Sequence, residues 1–410
     1  MKTIVQKYGG TSVGSVERIR AVAERVACTS REGSRVAVVV SAMAGETDRL
    51  LAAARGFAAE PNPEHVDFLI STGEQQSVAL LALALESMGV PAKVFTGAQA
   101  GFCTDSNHGR ARIVRIDAGR VREALDSGRV AVVAGFQGAD ESGGITTIGR
   151  GGSDTSAVAL AAALEAEVCE IYTDVDGVAT ADPRICERAR VLPRISYEEM
   201  MELADAGAKV MHARSVELAA KYRVPLVIKS SFAEGGGTWV VPEEESMEGT
   251  VVSGITCNSG EAKVAIRRVP DKIGVTAQIF KPLAKAGINV DLIVQNVAAD
   301  GFTDLTFTVP KEDLRRAMTL AETAAREVEA GKVEAAGDIA KISVVGLGMR
   351  SHAGVAHRMF DALAKEGIGI QMIGTSEIKV SIVIDVKYAE LAVRVLHEAF
   401  ELGKTTEKNG

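Results

Sequence analysis

No stretch of this chain is apolar for more than eight residues in succession, the longest such runs being 78–85 and 157–164. A hydrocarbon core takes about 20, so no membrane span is expected. Runs of lysine or arginine are equally absent, and 46 basic against 54 acidic residues leave a formal charge of −8. That balance argues against a nucleic-acid face and leaves small molecules as the expected partners. Cysteine is sparse: five residues, at 28, 103, 169, 186 and 257, odd in number and never spaced as CxxC. They read as reduced and structural rather than as a disulfide or zinc framework. The six histidines form no HExxH pattern, and His352 and His357, five apart, would not share one helical face. No protein-built transition-metal site is expected. The opening residues, MKTIVQKYGG, read as a strand entering a glycine turn without the organisation of a signal peptide, which predicts a cytoplasmic protein.

What is present is an ordinary globular composition, 47% hydrophobic and 24% charged over 410 residues, too long for one core and enough for two or three domains. The organising stretch is 148–164, IGRGGSDTSAVALAAAL. Its arginine, two glycines and Ser-Asp-Thr cluster lead into an apolar run that reads as a buried helix. A helix start presents unpaired N–H groups and partial positive charge, so a glycine-rich entry with Ser153 or Asp154 near the cap makes an anion cradle. Phosphate is its natural guest, although glycine pairs also serve plain turns.

Upstream, residues 3–8 alternate as a strand, GGTSVG follows, and a helix is expected over 16–27. Lys7 is thereby placed at the carboxyl end of the first strand, where α/β sheets bind ligands; an exposed lysine before a turn is the alternative. Residues 35–41 are apolar enough for a strand buried on both faces, and Ser41 and Thr47 leave it in a loop. Gly73-Glu74-Gln75 is read as the head of an apolar helix, where the dipole favours a carboxylate that could also grip a substrate ammonium. Short strands at 92–95 and 130–134 flank a helix near 118–126. After the central element come a strand at 169–172, an acidic TDVDGVATADPR loop, helices at 197–206 and 207–222 with Lys209 early in the second, and a last strand at 225–230. This alternation predicts an α/β domain with a mostly parallel sheet. Composition shifts abruptly at 233–250, giving expected boundaries of 1–232, a linker at 233–250, and two further domains at 251–340 and 341–410. Those last two repeat each other: Gly274, Phe280 and Gly287 align with Gly354, Phe360 and Gly367, each pair 80 residues apart, and each copy reads as a βαββαβ unit.

Taken together, KYGGTSVG (7–14), VSAMAGETD (40–48), TGEQ (72–75), GRGGSDTSA (149–157), TDVDGV (173–178), ADPR (181–184), GAKVMH (207–212) and the paired repeats resemble the bacterial aspartokinases over essentially the whole chain. The resemblance implies a three-layer αβα amino-acid-kinase domain followed by two ferredoxin-like ACT domains. It implies phosphoryl transfer from MgATP to the side-chain carboxylate of L-aspartate, the first step towards lysine, threonine and methionine. Carried over by motif, Lys7, Asp154 and Arg150 would be catalytic, and Ser41, Thr47, Glu74, Arg150 and Ser153 would hold aspartate. Lys7, Gly9, Gly10, Thr173, Asp174, Arg184 and Lys209 would line the nucleotide, with Mg2+ arriving on ATP. Effector contacts would come from Asp271, Lys272, Ile273, Gly274, Val275, Thr276, Asn289, Val290, Asp291, Gln295, Ala356, Gly369, Ile370 and Ser376. The resemblance further implies inhibition by lysine, threonine or both, a homodimer or tetramer formed through the ACT units, and a separate regulatory chain if Met247 serves as an internal start. Two positions depart from the family pattern: Ala179, where many relatives carry tyrosine, and Gly369, where Asn is usual. An amino-acid-sensing protein with a decayed kinase half is the competing reading, and the presence of Lys7, Glu74, Arg150, Asp154 and Asp174 counts against it.

Overall fold

The structure, a computed structural model, describes residues 1–208, 210–243, 251–296, 300–350, 352 and 354–404. Lys209 and Met247 lie outside them. The chain forms two compact units: Met1–Val178 with Val191–Asp205 and Lys209–Ser246, and Ala179–Arg190 with Ala206–Ala208 and Met247–Gly410.

The first unit runs β1 (Thr3–Tyr8), α1 (Val16–Arg31), β2 (Arg35–Val40), α2 (Glu46–Arg55), α3 (Pro63–Ser87), β3 (Ala92–Phe95), β4 (Phe102–Thr104), β5 (Ile113–Ile116), α4 (Gly119–Asp126), β6 (Val130–Ala134), β7 (Gln137–Ala139), β8 (Ile145–Thr147), α5 (Gly152–Leu164), β9 (Val168–Thr173), β10 (Arg194–Ser196), α6 (Tyr197–Asp205), α7 (Ala213–Tyr222), β11 (Leu226–Ser230) and β12 (Thr238–Val241). Eight of these strands form one sheet, ordered β10-β12-β11-β9-β1-β2-β6-β3, with β11–β12 its antiparallel pairing. The valine-rich β2 and β6 sit inside it with almost every residue buried, as continuous apolar strands require. On one face α1 buries Ile19, Val22, Ala23, Val26 and Ala27, a spacing of three and four that makes one helical stripe, against β-strand valines and α3. On the other face lies α5, whose small apolar side chains allow close approach to β1, β2 and β9. A second sheet, β5-β4-β7-β8, carries the short segments that lead towards residue 150.

Three sequence expectations change. The helix bearing Glu74 begins eleven residues earlier than Glu74, at Pro63 with Asn62 accepting from the Glu64 N–H, so Glu74 stands mid-helix and the dipole does not act on it. At 25 residues and mean hydropathy 1.3 over its most apolar window, α3 is long and apolar enough for a membrane; its buried Asp67, Ser71, Glu74 and Ser77 and its packing on α1 and β3 make it a core helix. The helix expected over 207–222 begins only at Ala213, capped by His212. Residues 233–250, read as linker, supply β12 to the eight-stranded sheet, where Thr238 Oγ1 donates to Leu192 O and accepts from Val178 N.

The second unit contains β13 (Gly254–Asn258), β14 (Glu261–Pro270), α8 (Val275–Lys285), β15 (Ile293–Gln295), β16 (Phe302–Pro310), α9 (Leu314–Glu327), β17 (Val333–Ala336), β18 (Ile339–Val345), α10 (Val355–Lys365), β19 (Ile370–Thr375), β20 (Lys379–Asp385) and α11 (Ala389–Ala399). The first repeat is a complete βαββαβ with sheet order β15-β16-β14-β17. The second has sheet order β13-β18-β20-β19, so its fourth strand comes from ahead of the first repeat rather than from beyond its own last helix. The repeats match locally: α8 and α10 each start after a left-handed glycine, Gly274 (φ 92°) and Gly354 (φ 103°). Residues 179–190 also pack in this unit. Ala181 and Cys186 join the core of the second repeat, and Thr180 Oγ1 meets His397 Nε2 at 3.0 Å.

Candidate active site

Strand alternation divides β1 between the two faces of the sheet. Gln6 and Tyr8 face α1. There Gln6 donates to Glu170, Lys229 pairs with Glu170 at 2.7 Å, and the Tyr8 ring stacks on Tyr172 across the β1–β9 register at 4.7 Å. Lys7 faces α5, and its Nζ lies 2.6 Å from Asp154 Oδ1, both side chains nearly buried at 11% and 12% exposure. Besides Lys7, no partner reaches Asp154 Oδ1 among the described residues.

Immediately after β1 the chain passes so close to its neighbour that a Cβ on Gly10 would sit 2.7 Å from Ala42 O. The two loops are tied by Ala44 N donating to Gly10 O and Ser41 N to Tyr8 O. Opposite them, α5 begins at Gly152 with Gly151 as its left-handed cap (φ 69°), the glycine rather than Ser153 or Asp154 filling that role. Glu74 reaches in from α3. Its Oε1 accepts from the Ala42 N–H at 3.1 Å, and its Oε2 is buried with no hydrogen-bond partner among the described residues. Burial pushes its carboxyl up from 4.5 to about 7, the Ala42 N–H opposing.

Lys7, Gly9, Gly10, Ser41, Thr47, Glu74, Arg150, Ser153 and Asp154 thus line one cleft of about 1070 Å³. These residues come from four separate stretches of sequence. Its lining also takes in Asp67, Gly109 and Thr147, none of which the sequence motifs had singled out, and Gly149, which opens the GRGGSDTSA stretch. Thr173 and Asp174 do not line this cleft. They sit at the carboxyl end of β9, next to β1, with Thr173 Oγ1 donating to Asp174 Oδ1 at 3.2 Å. Arg184 lies in the 179–190 segment of the second unit and forks onto Asp182 through Nε and Nη2 at 3.0 and 2.7 Å. Among the described residues no group of three or more His, Cys, Asp or Glu side chains is arranged to hold a metal ion.

Within the second unit two of the expected effector contacts of the first repeat meet: Thr276 Oγ1 donates to Gln295 Oε1 at 3.2 Å, joining the head of α8 to β15. Ile273 in the preceding turn is fully exposed. Asp291 pairs with the buried Lys341 of β18, which also holds Glu261. In the second repeat, Ala356 lies on α10, Ile370 opens β19, and Ser376 N donates to Lys379 O in the turn before β20. Gly369 faces open space, where an added Cβ meets nothing within 4 Å.

A cleft of this kind, lined by a cation, a glycine loop, a helix start, a buried carboxyl with an unpartnered oxygen and a guanidinium, suits transfer of a phosphoryl group to a zwitterionic substrate. Residues 2–230 match the amino acid kinase family, and 267–324 and 342–400 match the ACT domain. The class is therefore an amino acid kinase with regulatory ACT repeats. The chain is 56% identical to an aspartate kinase of Stutzerimonas stutzeri, over 99% of its own length and 100% of the relative's. An aspartokinase of Pseudomonas aeruginosa is 57% identical, with 98% of each chain covered. Among solved structures, E. coli aspartokinase III in complex with aspartate and ADP superposes with a TM-score of 0.82 at 25% identity, covering 97% of this chain and 99% of that one. The chain belongs to the aspartokinases, enzymes that transfer the γ-phosphate of ATP to the side-chain carboxylate of L-aspartate and are regulated through ACT domains.

Proposed function

We propose that L-aspartate binds between Arg150 and Glu74, with its side-chain carboxylate directed at the Lys7–Asp154 end of the cleft. The buried, partnerless Oε2 of Glu74 carries this reading. An unpaired carboxylate oxygen in such a place costs free energy unless a ligand donates to it, and the substrate ammonium is the donor of matching charge. Arg150 offers a planar fork to the α-carboxylate, while Ser41, Thr47 and Ser153 supply hydroxyls.

A carboxylate is already anionic at neutral pH, so the reaction asks for no general base. Catalysis reduces to in-line positioning and to neutralising charge on the transferred group. Lys7 and the N–H of Gly10 do the second, and Asp154 holds Lys7 in place. Thr173 and Asp174, at the carboxyl end of β9, take the rest of the nucleotide. Magnesium, arriving on ATP with most of its waters, would supply further charge neutralisation beside Asp154.

The second unit answers to end-product amino acids, lysine, threonine or both, at the surface around Asp271, Thr276, Asn289, Asp291 and Gln295. E. coli aspartokinase III in complex with lysine and aspartate, its T-state, has a TM-score of 0.76 at 25% identity, covering 98% of this chain and all of that one. The ACT units join two or four copies, and a regulatory chain started at Met247 would join in the same way. Titrating lysine and threonine, singly and together, against wild type and Gln295→Ala tests the effector site. Weakened inhibition in the variant supports it, and superimposable curves remove Gln295 from it.

A further inference from the structure

Arg150 stands between two glycines in left-handed backbone, Gly149 (φ 82°) and Gly151 (φ 69°), and belongs to neither a strand nor a helix. It lies in a turn closed by Gly152 N donating to Gly149 O at 2.9 Å, so where Arg150 sits follows from what anchors that turn on either side. On the upstream side two charged side chains remote in sequence do this. Asp67 of α3 is fully buried. Its carboxylate accepts from the Thr147 N–H at 3.0 Å and the Thr147 hydroxyl at 2.5 Å, from the Gly109 N–H at 3.0 and 3.1 Å, and lies 2.9 Å from His108 Nδ1. Arg214 of α7 donates through Nη1 to Ile148 O at 3.0 Å and through Nη2 to Ala111 O at 3.1 Å. The same two segments, 108–111 and 147–149, are therefore held together twice. The anion takes their N–H groups and the cation takes their carbonyls. They also bond to each other through Ala111 N and Thr147 O.

We propose that Asp67 and Arg214 are positioning residues for aspartate binding: an opposed pair of charges that fixes the 147–149 backbone and so aims Arg150 across the cleft. This rests on the reading of Arg150 as the carboxylate ligand. Neither residue contacts the Lys7 end, so loosening the clamp acts on aspartate far more than on the nucleotide. Asp67→Asn keeps the volume but turns an amide N–H towards backbone N–H groups. Arg214→Met keeps the apolar stem of a half-buried side chain and loses both donors.

The experiment is steady-state kinetics with L-aspartate and MgATP on wild type, Asp67→Asn, Arg214→Met, Arg214→Lys, Arg150→Ala and the Arg150→Ala/Arg214→Met double variant, each checked for an unchanged urea midpoint. Displacing a binding group by a fraction of an ångström to an ångström predicts a KM for aspartate raised on the order of 10- to 100-fold in Asp67→Asn and Arg214→Met, with the KM for ATP within about twofold of wild type. Partial recovery is expected in Arg214→Lys, which retains a donor. In the Arg150→Ala background Arg214→Met adds nothing further, because it acts through Arg150. An unchanged KM for aspartate in folded Arg214→Met, alongside a raised one in Arg150→Ala, overturns the clamp and spares the site. An unchanged KM in Arg150→Ala overturns the site itself. Full additivity in the double variant also overturns the clamp, by making Arg214 act independently of Arg150. Should Asp67→Asn fail to fold, the Arg214 variants and the double variant decide alone.

Discussion

At the scale of the residue, Glu74 is a cleft carboxyl held out of water. Its folded value, raised to about 7, lies above the ordinary 4.5. On raising the pH the unfolded chain therefore loses this proton first. Between about 4.5 and 7 the folded state holds a proton that the unfolded state has lost, so stability falls as pH rises through that window. The full cost, about 3 kcal/mol, is present above it. Glu74→Gln should therefore gain stability relative to wild type at pH 8 and little at pH 4, measured by urea midpoints, and saturating aspartate should narrow the wild-type difference by pairing the carboxylate. In kinetics, the KM for aspartate should fall as pH rises from 6 to 8 in wild type and lose that dependence in Glu74→Gln. Lys7, Glu74, Arg150 and Asp154 were legible as candidates because each sits in a local motif with a chemical reason to be there. Asp67 and Arg214 were not. Their partners are mostly backbone groups of segments 42 to 103 residues away, and nothing in a lone Asp on an apolar helix announces which main-chain N–H groups it will meet.

At the scale of the element, long segments with a strong hydrophobic pattern were readable and short ones were not. The strands of β1, β2, β6 and β9 and the helices α1 and α5 follow their apolar patterning. The three- and four-residue strands β4, β5, β7 and β8 bury too little surface to leave a pattern, yet they carry the chain into the Arg150 loop. Glycine at 73 suggested a helix head, but tertiary packing holds it inside α3, where a Cβ would sit 2.9 Å from that of Ala42. The turn into α5 makes a sharp demand. A Cβ on Gly151 would lie 2.3 Å from His212 Cβ, on backbone already at φ 69°. Gly151→Ala is expected to cost about 1–3 kcal/mol in urea unfolding and to displace both Arg150 and the start of α5, so that KM values for aspartate and ATP rise together. A wild-type midpoint with normal kinetics would mean that the loop relaxes around an added methyl.

At the scale of the whole molecule, the ACT repeats were legible from their 80-residue offset, but their connectivity was not, since 251–256 could have paired with either. The structure gives that segment to the second repeat: β13 runs antiparallel to β18 from Gly254 opposite Val345 to Asn258 opposite Lys341. A regulatory fragment beginning at residue 251 should consequently unfold at a higher urea concentration than one beginning at 259, which leaves the β18 edge bare. Equal midpoints would deny β13 a structural role. All of this serves a single reaction, and the most direct test of the account is the rate of ADP release with MgATP and L-aspartate, with L-glutamate as the control, in wild type and Lys7→Ala. The account predicts turnover that depends on aspartate in wild type and a loss of at least about 100-fold in kcat for Lys7→Ala, with the urea midpoint and the response to lysine or threonine retained. Near-normal turnover in Lys7→Ala would contradict it, because the cleft would then be neutralising the transferred phosphoryl group without the one cation that reaches it from β1.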